Sequence, residues 1–409
     1  MVCKGWTGPV AVLMGVAVLS LSVHSAAQNN DHSLLSFIKR LFGGKKDETV
    51  PMTPAQIIQG EGYPSEVHHV TTADGYILQV DRIPRPGRPV VYLANQIFSS
   101  AAAYLILGKG KSIGFLLYEA GFDVWLSNFR GTNFSLTHVS LSSSDDNFWK
   151  FGFHEHGTLD NPAIIDYVLA TTKQKDLVFL GHSMGGTTFF VTASERPDTL
   201  SKIRAAFLFA PAVFMSNTKD EVMRAGVRFA NATMRIADLL HKHRQPVELL
   251  RQLLTGLCQK GLSKALNLCA KAGLGGVNRF LPDFAIFFPA GGSVGQLVHF
   301  LQVINPKWPG FRKYNYGSAQ ANRAKYGSDT PPDYKLRNIN TPVYLYNGFG
   351  DKTCSVQDQT LLKNTLPNVK QFFYSANKNL NHRDFTLSDN AVNDVYNTVL
   401  ANLKQFLKR

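Results

Sequence analysis

The strongest chemical signal is the run Gly181-His182-Ser183-Met184-Gly185. The apolar stretch Leu177-Val178-Phe179-Leu180 leads into it, and Gly186-Thr187-Thr188-Phe189-Phe190 follows. The pattern predicts a strand, a sharp turn and a helix, with a serine at the corner. Such a turn holds the serine backbone in a strained geometry with its hydroxyl exposed, and the flanking glycines leave room where side chains would collide. The helix start offers free N–H groups to developing negative charge. Ser183 is therefore the candidate nucleophile, and the N–H of Met184 is a candidate half of an oxyanion hole.

The same spacing recurs at Gly291-Gly292-Ser293-Val294-Gly295. Pro289 breaks the run before that serine, and Ser293 sits in a helix-like stretch outside the alternating part of the chain, so Ser183 is preferred. A hydroxyl of ordinary pKa also needs a base within reach and a third group to orient that base. With a serine on this kind of turn, the acid and then the histidine follow in chain order. Four histidines follow Ser183. His241, His243 and His299 fall in the helix-like stretch, whereas His382, in Asn381-His382-Arg383-Asp384-Phe385, precedes the C-terminal helix. His382 is the expected base. Asp351, in Asn347-Gly348-Phe349-Gly350-Asp351, follows a late strand and is the expected acid, with Asp358 as the alternative.

The elements that position these residues are legible as short runs. Val67–Val70 and Tyr76–Arg82 read as strands around an Asp74-Gly75 turn. Val90–Leu93, Val124–Ser127, Leu177–Leu180, Ala205–Phe209 and Pro342–Tyr346 are apolar runs suited to buried strands. Helical stretches such as Pro162–Ala170 lie between them, and Asn390–Leu407 reads as an amphipathic helix. Strands alternating with helices predict an α/β fold with a mostly parallel central sheet and helices on both faces. From about Asn217 to Gln302 the chain is helix-like, which predicts an inserted helical cap. The expected organisation is a signal peptide over residues 1–27, an N-terminal extension over 28–52, a core in two parts over 53–213 and 311–409, and a cap with lid over 214–310.

The chain has 409 residues, 44% hydrophobic and 18% charged, enough for a large core and unlike a disordered or fibrous protein. Its net charge is +14, with basic residues spread rather than clustered and no nucleic-acid motif. That balance favours anionic interfaces over base readout. Lys4, the apolar stretch Val10–Val23 and Ser25-Ala26-Ala27 read as a cleavable secretory signal, too short to span a membrane. In that compartment Asn133-Phe134-Ser135 and Asn231-Ala232-Thr233 are glycosylation candidates. Cys258 and Cys269 could pair in a local loop, leaving Cys354 free, although two other pairings are open.

Together these stretches resemble the acid lipase family, which includes gastric and lysosomal acid lipases. The resemblance runs from about Thr53 to Leu407. It is carried by Gly62-Tyr63-Pro64-Ser65-Glu66, Thr72-Ala73-Asp74-Gly75-Tyr76-Ile77-Leu78, Asp123-Val124-Trp125-Leu126-Ser127-Asn128 with Arg130-Gly131, Phe288-Pro289-Ala290-Gly291, and the His382 loop. It implies an α/β-hydrolase fold with a helical cap and lid, and a Ser183, Asp351, His382 triad. Three departures stand out. Where the family reads His-Gly-Leu after an early strand, this chain has Asn95-Gln96-Ile97, so the second oxyanion N–H falls on Ile97 and glycine is replaced by Gln96. Met184 replaces a usual Gln. The cap cysteines do not match clearly.

The expectation is a secreted or lysosomal lipase that cleaves carboxylic esters of neutral lipids at an oil–water or membrane interface. It would need no metal or organic cofactor and bind no nucleic acid. Phe284-Ala285-Ile286-Phe287-Phe288 could line an acyl groove. A catalytically silent lipid-binding homologue, or a hydrolase of other esters or thioesters, is the alternative.

Overall fold

The computed structural model describes residues 52–227 and 290–407, and between them Ala230, Met234, Arg235, Asp238, His243 and Arg244. The signal and extension, most of the expected cap, and the sites proposed at Asn231, Cys258, Cys269 and Phe284–Phe288 lie outside the described residues.

The chain builds strands β1 (Glu66–Thr71), β2 (Tyr76–Ile83), β3 (Val90–Ala94), β4 (Asp123–Ser127), β5 (Thr137–His138), β6 (Leu177–His182), β7 (Ile203–Phe209), β8 (Val343–Asn347) and β9 (Val369–Tyr374). Among the described residues these form one sheet in the order β1-β2-β4-β3-β6-β7-β8-β9, with β5 paired to β2. From β4 to β9 along this order every pairing is parallel, and β1, β2 and β5 add the antiparallel end. The central strands β3, β4, β6 and β8 are buried at every residue. Both of their faces must be covered, which explains why they read as unbroken apolar runs. Edge strand β1 alternates instead.

Helices α1 (Ile113–Glu119), α2 (Asn161–Thr172), α3 (Met184–Glu195) and, beyond α4 (Val294–Ile304), α5 (Val356–Thr365) connect and cover the strands. The C-terminal segment is helical from Val392 to Phe406, opening with a wide π turn and closing with a tight 3-10 turn. Strands β5 and β9 carry weaker sequence signals: one has two residues, and the other is only partly buried and lacks a continuous apolar run.

Helix α4, from the stretch expected to belong to the cap, packs against core aromatics. His299 stacks on Phe153 at 3.6 Å between ring centroids and donates from Nε2 to the Arg312 carbonyl at 3.0 Å. Burial pushes this imidazole down to about 3. The unfolded chain takes up a proton near the ordinary histidine value, whereas the folded chain resists it. This contribution to stability is complete above about pH 6.5 and is lost as pH falls toward 3. Chemical denaturation between pH 7 and 4 should show the slope of stability reduced by about one proton in His299→Phe, roughly 1.4 kcal/mol per pH unit, even though the variant is weaker at pH 7. An unchanged slope would exclude His299 as the group.

Candidate active site

Parallel strands end on the same edge of a sheet, so the loops that follow them gather there. The loop after β3 carries Asn95–Ser99, the turn after β6 carries Ser183, the loop after β8 carries Asp351, and the loop after β9 carries His382.

Ser183 has φ +54° and ψ −118°, a conformation side-chain-bearing residues rarely adopt. Two restraints hold it. Its N–H donates to the Phe209 carbonyl of β7 at 3.0 Å, and its own carbonyl accepts from Thr187 of α3 at 3.0 Å. Gly185 lets this turn sit against β3, since a Cβ there would lie 2.0 Å from the Ala94 carbonyl oxygen. The serine side chain does not cap α3. It is free to meet His382, whose Nε2 lies 2.8 Å from Oγ.

The rest of the relay is equally close. His382 Nδ1 lies 2.8 Å from Asp351 Oδ2, and Asp351 Oδ1 accepts from the N–H groups of Thr353 and Cys354, both at 2.8 Å. The carboxylate is thus held at both oxygens. Its loop approaches the histidine loop through Gly348, where a Cβ would stand 2.3 Å from the Leu380 carbonyl oxygen. The alternative acid, Asp358, is committed elsewhere: its carboxylate accepts from Asn217 and Ser355, and its N–H donates to Ser355 Oγ at the start of α5. His243 faces Asp146 and Asp238.

The second serine motif does structural work. Ser293 caps α4 by accepting from the Gln296 N–H at 3.1 Å, and it donates to the Phe151 carbonyl. It is fully buried.

His182 supports the base from behind. Its Nε2 donates to the His382 carbonyl at 2.8 Å, and its N–H donates to the Tyr104 hydroxyl at 3.1 Å. Burial, then the neighbouring His382, drives this imidazole well below the usual range, so it stays neutral. A buried charged chain adds rigidity on the other side. Arg130 grips Asp74 and Asp160, and its guanidinium lies 3.9 Å over the Tyr76 ring. Burial alone would raise the Asp160 carboxyl, but Arg130 and His156 together hold it below the ordinary range. His156 donates to Asp160 and accepts from Gln296, whose amide also reaches Met184 Sδ at 3.6 Å. Sequence reading passes over His156, Asp160 and Gln296, because single polar residues in apolar stretches carry no motif.

Among the described residues, the N–H groups of Met184 and Ile97 have no acceptor. Asp351, Cys354 and His382 bring possible metal-ligating atoms within 4.8 Å of one another. Burial keeps the Cys354 thiol protonated, and it donates to the Ala210 carbonyl. Asn133 is exposed, as a glycan acceptor must be.

Residues 54–108 match the partial α/β-hydrolase lipase region, and residues 110–263 match the α/β hydrolase fold. A soluble variant of monoglyceride lipase from Saccharomyces cerevisiae, solved with a substrate analogue, has the same fold. It aligns with a TM-score of 0.50 at 18% identity over 90% of this chain and 98% of that one. Fold and sequence thus define an α/β-hydrolase. Lipase 3 of Drosophila melanogaster is 36% identical over 366 residues, covering 85% of this chain and 92% of its own. Gastric triacylglycerol lipase of Bos taurus is 32% identical over 375 residues, covering 87% and 92%. The chain belongs to the acid lipase family and is a lipase-type hydrolase of lipid esters.

The strain at Ser183 has a measurable consequence. Ser183→Gly relieves the unfavourable φ, whereas Ser183→Ala keeps it. The glycine variant should unfold at higher denaturant than the alanine variant, by roughly 1 kcal/mol after the entropy cost of glycine. Equal midpoints would show that the turn is not strained.

Proposed function

We propose that the chain hydrolyses neutral lipid esters, triacylglycerols foremost and sterol esters where the acyl site admits them, through an acyl-enzyme on Ser183. The observation that carries this reading is the unbroken line of contacts from Ser183 Oγ to His382 to Asp351, at 2.8 Å each. His382 Nε2 takes the hydroxyl proton as Oγ bonds to the ester carbonyl carbon. Asp351 keeps the imidazole oriented with Nδ1–H toward its carboxylate and offsets the charge that forms. The N–H groups of Met184 and Ile97 take the oxyanion. His382 then returns the proton to the departing alcohol. Water attacks the acyl carbon by the same route in reverse, releasing the fatty acid and restoring Ser183.

Lipid is favoured over small esters because each methylene removed from water contributes about 0.8 kcal/mol, so a long acyl chain can dominate binding. The name of the bovine relative points to triacylglycerol. The N-terminal signal and the exposed Asn133 support passage through the secretory pathway to a lysosomal or extracellular site.

The purified chain should cleave short- and long-chain triacylglycerol emulsions across pH 4 to 8, with rates rising once substrate passes from solution to droplets. Ser183→Ala should lose activity by at least ~10³-fold, and Asp351→Asn by a comparable factor at unchanged melting temperature. Activity surviving in Ser183→Ala would reject the nucleophile. A parent chain inert on every ester would instead indicate a silent lipid-binding homologue. Expression in a secretory host should yield a chain starting at Gln28 whose mass falls on glycosidase treatment, and falls less in Asn133→Gln. A retained Met1 would overturn the secretory assignment.

A further inference from the structure

The loop that must supply the second oxyanion N–H contains no glycine. Gln96 stands where the family has one and stays outside the positive-φ region, but Phe98 two residues on adopts φ +56°. Held by torsional preference alone, such a loop would relax, because side-chain-bearing residues disfavour that region. Something else must hold it, and the hydrogen bonds converge on one side chain.

Asn95 is 1% exposed and uses its whole amide. Its Nδ2 donates to the Ser99 carbonyl at 2.9 Å and to the Gln96 carbonyl at 3.3 Å. Its Oδ1 accepts from Ser127 Oγ at 2.9 Å and from the Phe129 N–H at 3.0 Å. Its own N–H donates to Ser127 Oγ at 3.0 Å. The inner pair grips the loop and the outer pair fixes the gripping group to the end of β4. Gln96 also accepts from the Ser99 N–H at 3.2 Å, which closes a tight turn with Ile97 and Phe98 at its corners. From the other side, the Phe98 carbonyl accepts from the Ala290 N–H at 2.6 Å. The Ala94 carbonyl, one residue before Asn95, touches the backbone at Gly185, two residues past Ser183. The turn is thus clamped beside the serine while the Ile97 N–H is left without an acceptor among the described residues.

We infer that Asn95 is a positioning residue for the hydrolytic step, a hydrogen-bond clamp that holds the strained turn at Phe98 and so aims the Ile97 N–H at the oxyanion. The inference rests on the reading of Ser183 as nucleophile and Ile97 as oxyanion donor. Asn95 touches no reacting atom. Its effect is to keep a backbone donor where charge appears, so its loss acts on kcat more than on substrate binding.

Asn95→Asp isolates the loop-facing half. It is nearly isosteric and keeps acceptor oxygens for Ser127 and Phe129, but ionised it cannot donate to the Gln96 and Ser99 carbonyls, and protonated it can donate to only one of them. A phosphonate ester that labels the nucleophile covalently serves twice, as titrant of folded sites and as an oxyanion-forming probe. Per titrated site, Asn95→Asp and Asn95→Ala should lose 10- to 100-fold in kcat and in labelling rate, with KM for a soluble short-chain ester within about threefold. Adding Phe98→Gly, which adopts φ +56° without strain, to Asn95→Asp should recover part of the loss, a rescue that a purely structural role would not give. The inference is overturned if either single variant keeps kcat within twofold, or if kcat falls only through fewer titratable sites. If the parent itself is not labelled, or Ser183→Ala is labelled equally, the underlying reading fails and the inference falls with it. A labelled parent beside an unaffected Asn95→Asp sinks the inference alone.

Discussion

The conformation of one residue governs the site. Ser183 sits at φ +54°, where a non-glycine backbone is held only if its surroundings over-determine it. Those surroundings are the hydrogen bond to Phe209, the start of α3, and the contact of Gly185 with the end of β3. Each needs the parallel sheet in its proper order, because β6 must lie between β3 and β7 for both neighbours to reach the turn. The sheet therefore sets the torsion angle that presents the hydroxyl. An error in strand order would remove the reason for the strain, and the turn would relax.

The groups that meet Ser183 come from loops far away in sequence, so their precision must be built locally. Asp351 is fixed by two backbone donors, and His382 is fixed through its own carbonyl by a histidine that burial keeps neutral. A charged His182 beside His382 would oppose the protonation of His382 that the proposed mechanism requires. Neutral, it anchors the His382 backbone without opposing charge on that ring. The Arg130 chain works differently. It buries Arg130 against Asp160, so removing either strands the other's charge in a low-dielectric interior, whereas Asp74 remains open to solvent. The chain reaches from the β1–β2 turn, through His156 and Gln296, to Met184 beside Ser183.

Much of this was legible in the sequence, for reasons that differ by element. Buried parallel strands read as apolar runs, and the serine turn reads through its glycines and flanking periods. Asp351 and His382 are weak alone, as loop acids and histidines are common; chain order made them informative. Asn95 appeared only as a departure from the family's pattern, and His156, Asp160 and Gln296 did not appear at all. His156 and Asp160 pair four residues apart, but their other partners, and those of Gln296, lie 30 to 140 residues away, and no local period records that. Ser293 shows the converse. A five-residue pattern associated with nucleophiles also serves close backbone packing, with Gly295 against the Phe151 carbonyl and the serine as a helix cap.

The Asn95 clamp and the Gly185 contact are two answers to one demand. Where two backbones must nearly touch, only the absence of a Cβ suffices, and Gly185 meets the Ala94 carbonyl that way. Where a loop must hold an unfavourable torsion with space around it, a buried amide with two donors and two acceptors can supply the restraint instead. The second answer is less forgiving, because it needs Ser127 and the β4 end in place before the loop has its shape. It also ties the oxyanion loop to the sheet itself. Because the unfavourable torsion lies at Phe98, which is not glycine, the turn depends on Asn95 in a way that a glycine at that corner would not.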